Sequence, residues 1–126
     1  MSKTFTDVEV FLSACGQHHA NKPVAQNNLS ELYQKLIHEE YNEFCDAINE
    51  ENDARQLDAC FDMMWVIIGY MKARGWDCEN AWDEGAKSNL SKIDKVTGKV
   101  IRREDGKILK PEGWQPPNFE KFVKIT

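Results

Sequence analysis

Three glutamates in five positions, Glu39, Glu40 and Glu43 of "HEEYNEF", interrupt a segment whose apolar residues recur at helical spacing. Projected at ~100° per residue, Leu29, Leu32, Leu36 and Ala47 form one stripe, which Tyr33, Ile37, Phe44 and Ile48 widen. Glu40 and Glu43 fall within or beside that stripe and Glu39 on its margin, so all three point toward a bundle interior or its rim. Unpaired buried carboxylates are costly, and three together also repel one another. The following apolar segment repeats the anomaly: Asp58 and Asp62, at i and i+4, lie beside Leu57, Phe61 and Trp65 on one face. Facing acids from two adjacent helices can give oxygen ligands to Mg²⁺, which takes a few carboxylates, several waters and the oxygens of a phosphate substrate.

The competing reading is a solvated helix face, since acidic strings are common on surface helices. The in-facing phase and the second acidic pair weigh against it, and so does the distribution of charge. From Glu39 to Asp62 nine acids stand against one base, Arg55, whereas from Lys87 to Lys110 eight bases stand against three acids. An acidic half and a basic half could hold a cation and an anion side by side. Lys87, Lys92, Arg102, Arg103, Lys107 and Lys110 are then the candidates to receive the far end of a phosphate chain.

Four helices must position these groups. Thr6 and Glu9 have the spacing of a capping box, which predicts a first helix from Thr6 to near Gly16. Asn28 and Glu31 open a second from about Leu29 to Ile48. A third is expected from about Ala54 to Arg74, stopped by Gly75, and a fourth from the cap Asp77 to about Ser91. The rest, rich in Gly and Pro, predicts turns with one short hairpin at "REDGK". With 126 residues and no repeats, one domain is expected, a helical core over about 5–93 and a turn-rich basic tail over about 94–126. The class is an all-α, four-helix-bundle type. The third helix is apolar nearly all round after Ala59, which predicts a partner subunit covering it.

A hydrophobic content of 41% with 29% charged residues suits a soluble globular chain, and the net charge of −5 gives no reason to expect nucleic-acid binding. The longest uncharged apolar run, Met63 to Met71, is far short of a membrane span. The N-terminus lacks the charged-then-apolar order of a signal peptide. Cys15, Cys45, Cys60 and Cys78 show neither metal-ligand spacing nor a disulfide framework, and three of them fall on apolar helical positions, as buried thiols would. His18, His19 and His38 offer no metal pair. A reducing cytoplasm is the expected compartment.

"EEYNE" followed by "DACFD" resembles the paired EExxE and ExxD motifs of the all-α nucleoside triphosphate pyrophosphohydrolases, the MazG-like and phosphoribosyl-ATP pyrophosphohydrolase-like superfamily. "VEVFLSACGQ", "DMMWVIIGYMKARGWD", "AKSNLSKID" and "DGKILKPEGWQPP" extend the resemblance over nearly the whole chain. One departure stands out: where the second motif calls for Glu three residues before Asp62, this chain has Ala59, with Asp58 one position earlier.

The resemblance implies a MazG-like fold and hydrolysis of a nucleoside triphosphate between the α and β phosphorus atoms, while the apolar third helix and the modest core imply self-association as a homodimer or dimer-of-dimers tetramer. The deoxynucleotide is the expected form. It also implies Mg²⁺, with Mn²⁺ as an alternative, on Glu39, Glu40, Glu43 and Asp62 and with Asp58 in the place of the missing Glu. Glu39 or Glu40 would act as the base toward water. Asn89 projects into the stripe Cys78, Trp82, Gly85, Ala86 and Ile93 of the fourth helix, where a buried amide needs partners. Base, sugar or phosphate would serve, as for the Asn and Lys of the resembling family at this place, with Lys92 one turn on. Trp82 is a core residue or a base-stacking platform, and Gln17 a base contact by position. The alternatives are phosphoribosyl-ATP pyrophosphohydrolase and a non-catalytic helical binding module.

Overall fold

The computed structural model describes residues 3–16 and 27–124, and these are all-α. Helices α1 (Lys3–Ala14), α2 (Asn27–Asn49), α3 (Asp53–Ala73) and α4 (Cys78–Leu90) are followed by an irregular tail that ends in a short 3₁₀ helix, Glu120–Phe122. Among the described residues the only sheet-like pairings are isolated antiparallel bridges, Ile93 with Val100 and Arg102 with Ile108. The second closes the expected "REDGK" hairpin, where Arg103 N–H donates to Lys107 O at 2.8 Å and Gly106 N–H to Arg103 O at 2.9 Å. No described helix is long and apolar enough to cross a membrane.

The bundle is organised around the α2–α3 hairpin. α2 ends in a reversal in which Asn52 N–H donates to Ala47 O and Glu51 N–H to Ile48 O, with Glu51 in the left-handed region at φ 54°. This is the paired-bond stop usually built on glycine. The end of α3 uses the same device with glycine in place: Gly75 has φ 75°, its N–H donates to Lys72 O, and Trp76 N–H donates to Met71 O. Asn52 then caps α3 by accepting from Arg55 N–H at 3.0 Å, and Asp77 caps α4 by accepting from Asn80 N–H at 3.2 Å.

Across the hairpin the helices approach closely. A Cβ on Gly69 would lie 2.5 Å from Cε1 of Tyr33, so the ring packs directly on the glycine backbone. At the turn end Gln56 Nε2 donates to Ala47 O. The core joins Phe5, Val8 and Leu12 of α1 to Tyr33 of α2 and Val66 and Ile68 of α3. Lys72 Nζ pairs with Glu9 Oε2 at 3.0 Å and ties α3 to α1.

Three expectations are corrected. α1 begins at Lys3, not Thr6: Phe5 is buried and a Lys3–Asp7 pair at 3.0 Å supports the first turn, which places Thr6 inside the helix. α2 begins at Asn27, two residues before Leu29. Of the cysteines only Cys78 is buried; Cys45 and Cys60 are half-buried and Cys15 is exposed. Helical phase states which way a side chain points, and in one chain several apolar faces have nothing over them.

Candidate metal centre

The hairpin fixes which acids meet. Tyr33 sits against Gly69 and Ala47 against Gln56, so the same antiparallel register sets Glu40 across from Asp62 and Glu43 across from Ala59. Glu40, Glu43 and Asp62 each bring one carboxylate oxygen to within 4.8 Å of the others. Glu40 and Asp62 are half-buried and Glu43 lies at the open side. Glu40 Oε2 is shut off from solvent and has no hydrogen-bond partner among the described residues.

The electrostatics are those of an uncompensated cluster. Burial, then the charges of Glu43 and Asp62, push the Glu40 carboxyl up to about 7 from an ordinary 4.5. Burial and the charges of Asp58 and Glu43 likewise raise Asp62. The charges acting most strongly on both groups are negative. A polyvalent cation would satisfy the orphaned oxygen and remove the repulsion, and an all-carboxylate donor set suits a hard ion such as Mg²⁺.

The remaining candidates divide. Glu39 is exposed and outside the triad, although its charge acts on Glu40. Asp58 is also exposed and reaches the site through its field on Asp62. Ala59, where the resembling motif has Glu, is 3% exposed and in this register lies across from Glu43, so a methyl group stands where a fourth carboxylate could.

The basic candidates lie on α4 and the tail. Arg103 forms a two-bond pair with Asp105, and Arg102 donates to Gly106 O, so both brace the hairpin. Lys107 donates its backbone N–H to Asp105. Lys92 and Lys110 place their ammonium groups over the Trp114 ring, 5.3 and 4.7 Å from its centroid. Lys87 lines a cleft between α4 and the tail. Asn89 is exposed, which corrects the expectation of a buried amide, and its Oδ1 accepts from Lys92 Nζ at 3.1 Å. Trp82 is 66% exposed, not a core residue, and lines an apolar groove with Phe5, Met64, Ile67 and Met71. Gln17 lies outside the described residues.

The sequence analysis did not single out Trp114, whose indole N–H donates to Ser88 O at 2.9 Å and pins the tail to α4. A lone tryptophan in a Gly- and Pro-rich segment was the available signal.

A family model described as phosphoribosyl-ATP pyrophosphohydrolase matches residues 9–89, well over half of the chain. The match includes all three acids of the triad and ends within α4, before the tail. Among curated proteins none matches.

Proposed function

The chain belongs to the phosphoribosyl-ATP pyrophosphohydrolase family, in the MazG-like all-α superfamily, and we propose that it is a Mg²⁺-dependent nucleoside triphosphate pyrophosphohydrolase. On this reading it cleaves a (d)NTP between the α and β phosphates, releasing the monophosphate and pyrophosphate, and acts in the cytoplasm on the nucleotide pool.

The observation that carries the reading is the triad Glu40, Glu43 and Asp62, with its buried unpartnered oxygen and mutual repulsion. These three residues would hold Mg²⁺ or Mn²⁺. A divalent ion there supplies a bound water of lowered pKa and neutralises charge on phosphate oxygens. Glu39, one position along and exposed, is the carboxylate free to take the proton from the attacking water, and Asp58 keeps the neighbourhood negative. Lys87, Lys92, Lys110, Arg102, Arg103 and Lys107 are the charges this reading offers to the β and γ phosphates. Asn89 holds Lys92, and Trp82 offers an open ring face to a base.

Self-association belongs to the same reading. Leu57, Phe61, Met64 and Ile67 stay exposed along one side of α3, at 73, 55, 58 and 43%. A second copy covering that face would make a homodimer, and two such pairs a tetramer.

A second reading, phosphoribosyl-ATP pyrophosphohydrolase, is favoured by the family match itself. The tail, which that match does not include, favours the first. The deciding experiment measures pyrophosphate release from each common dNTP and NTP and from phosphoribosyl-ATP, with Mg²⁺, beside Glu40→Gln and a metal-free control. Turnover of (d)NTPs that both controls abolish supports the proposal, and turnover confined to phosphoribosyl-ATP selects the second reading. No turnover, with no effect of Mg²⁺ on the melting temperature, leaves a helical binding module.

A further inference from the structure

The register of the α2–α3 hairpin decides how many carboxylates the acidic centre has, and with them how many ions it can hold. Glu40, Glu43 and Asp62 each offer an oxygen within 4.8 Å of the others. Oxygens that share one ion stand at most about twice the metal–oxygen distance apart, roughly 4–5 Å for the hard divalent ions. The three therefore surround a single point. Among the described residues no other three His, Cys, Asp or Glu side chains meet in this way.

A two-ion centre holds its ions about 3.5–4 Å apart and needs carboxylates to either side of a shared one. Here Glu43 has no second acid across from it: Ala59 takes that place and is 3% exposed. The neighbouring acids do not make up the loss. Helix geometry sets Asp58 about 100° round the axis of α3 from Ala59, and Glu39 by the same angle from Glu40. Both are exposed and outside the group that converges, and they act on it as charges. The balance of charge gives the same count. Three carboxylates carry a formal −3, which one divalent ion brings to −1, whereas a second ion would turn the centre positive with no further carboxylate to bind it.

We propose that the chain without substrate holds one divalent ion, on Glu40, Glu43 and Asp62, and that Ala59 is the residue that limits the centre to one. The proposal rests on the reading of the triad as a metal centre and adds its capacity. A carboxylate at position 59 opens a second site.

The test counts Mn²⁺ bound to the full chain, from the electron paramagnetic resonance signal of the free ion, in about 0.15 M salt to screen isolated surface acids. Wild type, Asp62→Asn, Ala59→Glu and Ala59→Gln are compared, each checked for fold by its melting curve. The expected count is one ion per chain in the wild type, with binding at least tenfold weaker in Asp62→Asn. Ala59→Glu should bind two ions and Ala59→Gln, of the same size without the charge, one. Two ions on the wild type overturn the inference and leave the metal-centre reading standing. No ion on the wild type, or one that Asp62→Asn binds as tightly, overturns both. A single ion on a folded Ala59→Glu overturns the role given to Ala59, and if that variant does not fold the wild-type count still decides the capacity.

Discussion

At the scale of single residues the acidic triad sets the pH and metal dependence. In the folded, metal-free chain Glu40 titrates near 7 against 4.5 ordinarily, so between those values the native state holds a proton that the unfolded state has lost. Stability therefore falls as pH rises through this window. Melting curves without metal should show that decline in the wild type and a shallower one in Glu40→Gln, and Asp62, also raised, adds to it in the same direction. Saturating Mg²⁺ should raise the wild-type melting temperature at neutral pH, and Glu40→Gln and Asp62→Asn should lose most of that shift. Ala59→Glu restores a carboxylate opposite Glu43. Its expected signature is a lower melting temperature in EDTA and a larger upward shift with Mg²⁺ than the wild type shows. Helical phase was enough to find Glu40, Glu43 and Asp62 in the sequence. It could not separate them from Glu39 and Asp58, because a residue one position off phase still lies near enough to act through its field.

At the scale of the helix, packing and end geometry decide the stability. Gly69→Ala gains about 1 kcal/mol of helix propensity, but its methyl would drive into the buried Tyr33 ring. Overpacking of this kind costs about 1–3 kcal/mol, so the substitution should lower the urea midpoint. Glu51 occupies a left-handed position that costs a non-glycine residue roughly 1 kcal/mol. Glu51→Gly should remove that strain at some cost in unfolded-chain entropy, for a small net gain in the same measurement. The end of α3 and the start of α4 were legible because Gly75 and Asp77 are chemically specific to those places. The start of α1 was not, since Thr6 and Glu9 have capping-box spacing while the burial of Phe5 extends the helix past them.

For the molecule as a whole, the apolar periodicity established four helices and their faces, yet it could not say which faces one chain covers. That is why Trp82 and the cysteines were expected to be more buried than they are. The exposed side of α3 supplies the corresponding prediction: wild-type protein should sediment as a dimer or tetramer, and Phe61→Asp/Met64→Glu should shift it to monomer while leaving its helical circular dichroism intact. The α2–α3 hairpin carries one more implication. Glu40, Glu43 and Asp62 all belong to a single antiparallel helix pair joined by a three-residue reversal, so their meeting requires only short-range chain closure. During synthesis the complete acidic set emerges ahead of α4 and the basic tail, which follow it in the chain.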